Sequence, residues 1–218
     1  DNHMNTEEAC NTMCDIMMTR DRKMRLMVKK HFSPEDYFSV RNHMIGTGMI
    51  GGKACGMLLS RAIVRNLAWD INEVLEPHDS FFIGSDVYYT YIVDNGFWDI
   101  RVRQREETEY FSLAEEFARR LKNGVFSEEM KNHFLHILEY YGQDPFIVRS
   151  SSILEDGFGN AFAGKYESVF CANRGSLEER LVEFENAIKT VYASSMSLSA
   201  LDYRKRRGLD KRDEQMAL

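Results

Sequence analysis

The spacing of apolar residues sorts the chain into helical stretches separated by a few short extended ones. Between residues 4 and 30, Met13, Ile16, Met17, Met24 and Met27 recur at helical intervals. "SPEDYF" follows, with Ser33 placed as an N-cap and Pro34 at the first helical position. A helical face returns over Ala54 to Asn66, at Met57, Leu58, Ala62 and Ile63, and continues to Leu67. "DSFFIGSD" predicts a short buried strand closed by a turn, and "VYYTYIVDNG" a helix stopped by Gly96. "RVRQREE" predicts a charged, solvated stretch. Helices are predicted around 111–122 and 127–141, the second announced by Ser127, Glu128 and Glu129. "DPFIVRSSS" predicts a strand over Phe146 to Val148 that runs into a polar loop. "FGNAFAGKYESVFCAN" predicts a hairpin whose second strand covers Glu167 to Ala172. The strongest periodicity, at Leu177, Leu181, Phe184, Ala187, Ile188 and Val191, marks a helix over 176–194. A last helix runs from Ser197 to a stop at Gly208, and "DEQMAL" reads as the opening of a strand. Helices alternating with a few short strands predict an α+β fold of mixed layers.

Composition narrows the function classes. The 218 residues are 44% hydrophobic and 28% charged, with a formal net charge of −6. That balance suits a globular chain able to bury a core as one domain or two small ones. No apolar run reaches the ~18–20 residues that span a bilayer, and no charged-then-apolar leader opens the chain. Mild acidity gives no general attraction to nucleic acid or anionic lipid, so neither is an expected partner. The basic "YRKRRG" falls at a predicted helix C-terminus, where cations are favoured, and needs no nucleic acid to explain it. Cys10, Cys14, Cys55 and Cys171 fit neither a zinc motif nor a secreted disulfide framework; reduced thiols and a cytoplasmic location are expected. Cys10 and Cys14 share a helix face, as do His133 and His136; part-buried thiols and an ordinary packing pair are the readings preferred to metal half-sites. The chain starts on Asp1 and stops as an apolar run begins, the expectation of a piece cut from a longer protein.

Candidate chemistry starts at "GTGMIGGKACG", Gly46 to Gly56. A Walker A loop is excluded, because Thr47 stands where its first glycine should be and Ala54 where its magnesium-binding hydroxyl should be. Gly46, Gly48 and Gly51 satisfy the dinucleotide fingerprint, with Asp70 near the place of a ribose-binding acid. That motif requires a buried strand immediately before it, where this chain has Arg41, Asn42 and His43. A tight turn followed by an ordinary surface lysine is the remaining alternative.

The second constellation is "IVRSSSILEDGFGNAFAGKYESVF", Ile147 to Phe170. A short strand delivers Arg149 to an edge, followed by serines and a glycine turn. Arginine suits bidentate phosphate recognition, and hydroxyls with glycine N–H groups are anion donors. A hairpin with Arg149 paired to Glu155 or Asp156 is the structural alternative.

This segment resembles the signature of the N-terminal nucleotide-binding domain of the phosphoenolpyruvate synthase and pyruvate phosphate dikinase family. "GGKACGMLLSRA" resembles that family's early glycine-glycine-lysine loop, and "AIKTVYASSMSLSALDYRKRRGL" its following helix pair. The resemblance covers about Arg41 to Leu218; residues 1–40 stand outside it as a helical extension or linker. It implies an N-terminal subdomain of an ATP-grasp nucleotide site, truncated before the second half that would carry the magnesium ligands. It implies ATP and Mg2+ as cofactors, and phosphotransfer to a histidine on a swivelling domain, then to pyruvate or a related acceptor. Partners are therefore ATP and the downstream phosphohistidine and pyruvate-binding domains. By position, Lys53 and Arg149 match phosphate-contacting residues, Ser150 follows in the same motif, and Gly164 lies in the turn that closes over the phosphates. Lys165 replaces a usual glutamine, and Ser168 a usual threonine. No catalytic residue is expected within the chain, whose six histidines lie in unrelated contexts. Two departures stand out: "LEPHDSFFIGSD" lacks the family's proline-rich strand, and Ser152, Ile153 and Leu154 replace its small residues. A degenerate regulatory or docking module of the same fold and a dinucleotide-binding oxidoreductase domain remain as alternatives.

Overall fold

The N-terminal helical pattern breaks where polar side chains compete for the backbone. Helix α1, Thr6–Met13, passes into a π-helical turn, Cys14–Met18, and Thr19 then turns extended at φ −164°. The Asp21 carboxylate accepts from the Met24 N–H at 2.8 Å and starts α2, Arg22–His31. Two helices and a π turn thus replace one run over 4–30. Ile16 and Met27, both counted on its apolar face, are exposed, while Val28 is buried. Helix α3, Pro34–Asn42, opens on the expected Ser33 and Pro34, with a capping box closed by Asp36.

The computed structural model describes residues 5–67, 71, 73–76, 78–155, 162 and 164–218. These fall into two units. The first takes the described residues of Asp1–Val87 and Ser151–Ala161, with Ala217; the second takes those of Tyr88–Ser150 and Phe162–Met216, with Leu218.

In the first unit, strand β1, Met44–Ile45, pairs parallel with β2, Phe82–Ile83, and helix α4, Gly52–Leu67, lies between them in sequence. A buried strand does precede the glycine loop, contrary to the expectation from Arg41–His43. Those residues close α3 and cap it, and two apolar positions suffice for the strand. The core packs Cys14, Met17, Val28 and Tyr37 against Ile50, Cys55, Leu58 and Leu59. The Met17 carbonyl also accepts from the Ile50 N–H at 2.9 Å, which ties the π turn to the glycine loop.

The second unit is organised by helix α9, Leu177–Ser194, the segment with the strongest periodicity. Helix α5, Ser85–Asp94, leads into this unit, and Gly96 turns the chain just beyond its end at φ +67°, as expected. Helix α6 is Trp98–Gln104, α7 is Ala114–Asn123 and α8 is Glu128–Tyr141. Helices α7 and α8 pack on α9, and so does the antiparallel pair of β3, Phe146–Arg149, and β5, Ser168–Cys171. Edge-to-face aromatic contacts centre on Phe184, with Phe134 and Phe146 each 5.2 Å away between ring centroids. Helix α10 of this unit is Leu198–Arg206; strand β4, Ser151–Ser152, belongs to the first unit, and strand β6 is Met216–Ala217. The α+β expectation holds.

"RVRQREE" is exposed at five of its seven positions, as expected for a charged stretch, with two exceptions. It lies largely in α6, where Arg101 and Gln104 are buried. Arg101 finds a carboxylate, Asp213, at 2.5 Å, and Gln104 donates to the Tyr110 carbonyl at 2.7 Å. Paired and hydrogen-bonded in this way, charged and polar groups can be buried.

All four cysteines are free thiols, and only Cys10 is partly exposed. Burial pushes the Cys55 and Cys171 thiols up to about 12. A folded-state value raised above the ordinary 9.0 stabilises the fold below pH 9 and is lost as pH climbs towards 12. Two results should follow. At pH 8 a disulfide thiol reagent labels Cys10 in the native chain and the other three only after unfolding. The urea midpoint falls steadily as pH is raised from 9 to 12.

Candidate functional site

Glycine at 46–52 lets the backbone of the first unit approach other chain segments closely. The Asp86 carboxylate, at the start of α5, accepts from the Thr47 N–H at 2.9 Å and the Gly48 N–H at 2.8 Å. The Met49 N–H donates to the Ser85 hydroxyl at 3.2 Å. The first half of the loop therefore already holds an anion, and that anion belongs to the protein. An incoming pyrophosphate would have to displace a carboxylate from these amides, against like-charge repulsion. The letter match to the dinucleotide fingerprint thus carries no pyrophosphate site at Thr47 and Gly48. Asp70 lies outside the described residues.

The second half of the loop meets the start of the serine segment. Gly51 sits at φ +83°, and a Cβ there would lie 1.4 Å from the Ser151 carbonyl oxygen. A Cβ on Gly52 would lie 1.9 Å from the Glu155 carbonyl oxygen. The Ser151 hydroxyl accepts from the Ala54 N–H at 3.0 Å and so satisfies a donor in the first turn of α4. Lys53 Nζ donates to Glu155 Oε1 at 3.1 Å, and Glu155 Oε2 accepts from the Ser152 N–H at 2.8 Å. The first unit thereby brings the glycine-lysine loop and the start of the serine-rich segment together, although about a hundred residues separate them in sequence. Glu155 is Lys53's partner, which corrects its expected alternative role as the partner of Arg149. Asp156 lies outside the described residues.

Lys53 is no ordinary surface lysine. Its side chain is 31% exposed, while the Glu155 carboxylate beneath it is 3% exposed. The ammonium is tethered from below and still meets solvent at the N-terminus of α4, the end of a helix that favours anions.

The remaining candidates lie in the second unit. Arg149 and Ser168 are direct cross-strand partners on β3 and β5, and both are exposed on the same face. Ile147 and Phe170, also cross-strand partners, share that face, Phe170 at 80% exposure. Ser150 is buried. Gly164 is exposed at φ +67°, and Lys165 Nζ lies 5.7 Å from the centroid of the Tyr203 ring. Phe162 stacks on Tyr166 with centroids 5.3 Å apart, on either side of Gly164 and Lys165. The predicted turn between Gly157 and Ala163 lies largely outside the described residues.

Sequence reasoning missed Asp86 as the loop's internal anion and Ser151 as a cap of α4. The "GSD" turn before α5 carried the first signal, because its serine and aspartate are typical acceptors of backbone N–H groups.

Among the described residues, no group of three or more His, Cys, Asp or Glu side chains is gathered to hold a metal. None of the described helices is long and apolar enough to cross a membrane. In comparison with known proteins, residues 47–218 match the family model described as pyruvate phosphate dikinase, AMP/ATP-binding domain. No curated protein and no solved structure matches the chain.

Proposed function

The chain belongs to the pyruvate phosphate dikinase AMP/ATP-binding domain family, and from that premise we propose that it binds the phosphate chain of ATP in the manner of the first half of an ATP-grasp site. Lys53 and Arg149 supply positive charge; Gly164 supplies a backbone N–H; Lys165 and Ser168 supply further donors, while Ser150, next to Arg149 in the same motif, is buried. The observation that carries the reading is the seating of the serine turn on the lysine loop within the matched region. A tethered lysine at a helix N-terminus is a preorganised phosphate contact, and phosphoryl transfer needs such positioning more than covalent help.

In this proposal the described residues contribute binding and charge, not the nucleophile. ATP passes its phosphate to a histidine on a separate swivelling domain, which hands it to pyruvate or a related acceptor. Mg2+ would screen the triphosphate, with carboxylate ligands expected beyond the described residues. The chain alone should then show no turnover.

Titration calorimetry with ATP, ADP, AMP and NADH tests the reading. Adenine nucleotides should bind with a dissociation constant on the order of 0.1–1 mM. Lys53→Ala and Arg149→Ala should each weaken ATP about tenfold, the loss expected for a charged hydrogen-bond donor. NADH binding that ignores Arg149 would move the assignment to a dinucleotide site. Folded protein that binds no nucleotide would favour the degenerate module.

A further inference from the structure

The first unit holds a cavity of about 320 Å3 that the nucleotide reading does not use. It opens between α3 and the C-terminal half of α4, with β2 and the segment through Leu75 and His78 completing its wall. Buried Val40, Leu58 and Phe82 make an apolar floor. Arg61, Arg65, His43 and His78 supply cationic and imidazole groups around that floor, with Asp36 and Ser39 beside them.

The two arginines differ in charge balance. Arg65 Nη2 donates to both Asp36 carboxylate oxygens at 2.7 Å, so its charge is matched. Arg61 Nη2 donates to the Glu76 carbonyl at 2.6 Å, and no carboxylate pairs with it among the described residues. His78 Nδ1 is buried without a hydrogen-bond partner. Burial and the neighbouring Arg61 lower the tendency of His78 to protonate, so at neutral pH it stands as an uncharged donor or acceptor. A buried polar atom left unpaired is costly, and a bound partner removes that cost.

We propose that this cavity binds a small carboxylate with an apolar body. Its carboxylate meets Arg61 and His78, and its hydrocarbon lies on Val40, Leu58 and Phe82. One unmatched guanidinium beside a neutral imidazole balances a single negative charge, whereas a phosphate dianion would carry excess charge onto an apolar floor. The volume sits at the low end for ligand pockets, which limits the occupant to a small molecule. This assignment uses none of the candidate phosphate contacts, so it stands or falls independently of the ATP reading.

The test titrates hexanoate into the full chain and follows the ring resonances of His78, identified by their loss in His78→Gln. A saturable shift is expected, with a dissociation constant on the order of 1 mM. It should weaken about tenfold in Arg61→Gln, as a charged partner is lost. Ala62→Leu, which fills the cavity from α4, should abolish it, and Lys53→Ala should leave it unchanged. Thermal melts confirm that each variant is folded. Should Arg61→Gln fail to fold, Ala62→Leu still decides, because a persisting shift places the ligand elsewhere. The proposal is overturned by the absence of a saturable shift, or by equal binding of hexan-1-ol or inorganic phosphate. Indifference to Arg61→Gln in folded protein overturns it too.

Discussion

Gly51→Ala should unfold the first unit or undock its serine turn, with a loss of about 4 kcal/mol in a urea melt. Two terms add. A non-glycine residue held at φ +83° costs about 1–3 kcal/mol. A Cβ placed 1.4 Å from the Ser151 carbonyl oxygen meets backbone, not the yielding end of a side chain, and overpacking costs a further 1–3 kcal/mol or so. Against a total stability of about 5–15 kcal/mol, that loss is large. Gly56→Ala is the control. It lies inside α4, just after the loop that holds Gly51, with nothing within 4 Å of an added Cβ, so alanine should stabilise by about 0.5–1 kcal/mol. The pair separates close approach from glycine content. If Gly51→Ala melts like the parent, the seating of the serine turn on α4 is wrong. The proposed phosphate contact at Lys53 would lose its support with it.

Local signals in this chain were legible where one residue decides the outcome. Ser33 with Pro34, Ser127, Ser176 and Ser197 all start helices, because a serine oxygen can take an orphan N–H wherever the rest of the chain lies. Gly96 and Gly208 take the positive φ expected after a helix. Periodicity was less secure over α4, where Leu58 and Ala62 are buried but Met57 and Leu67 are exposed. What could not be read from sequence was pairing over distance. Lys53 is a candidate phosphate contact on resemblance alone, and nothing local says that Glu155 holds it. Likewise "YRKRRG" reads as a helix end suited to cations, and Lys205, Arg206 and Arg207 behave so. Arg204 does not; only its buried partner reveals what it does.

Arg204→Met should destabilise the second unit by about 3–5 kcal/mol, the cost of leaving a buried charge without its partner. Arg204 and Glu214 are 4% and 3% exposed. Arg204 Nη1 lies 3.3 Å from Glu214 Oε2, its Nη2 donates to the Ser195 carbonyl at 2.5 Å, and the Tyr166 hydroxyl donates to the same Glu214 oxygen. Arg101 reinforces the group by donating to the Glu214 carbonyl at 3.1 Å, with its guanidinium over the Tyr88 and Tyr89 rings. A thermal or urea melt of Arg204→Met, Glu214→Met and the double variant gives the decisive comparison. The double variant should recover most of the loss, because an apolar pair of similar volume has no charge to desolvate. Additive losses would mean that the arginine works through packing alone. The consequence reaches the candidate site, since Tyr166 stacks on Phe162 and Phe162 on Tyr203, the ring beneath Lys165. Losing the Glu214 anchor frees one end of that stack. The double variant should therefore regain stability yet bind ATP more weakly than the parent, which separates holding the fold from placing Gly164 and Lys165.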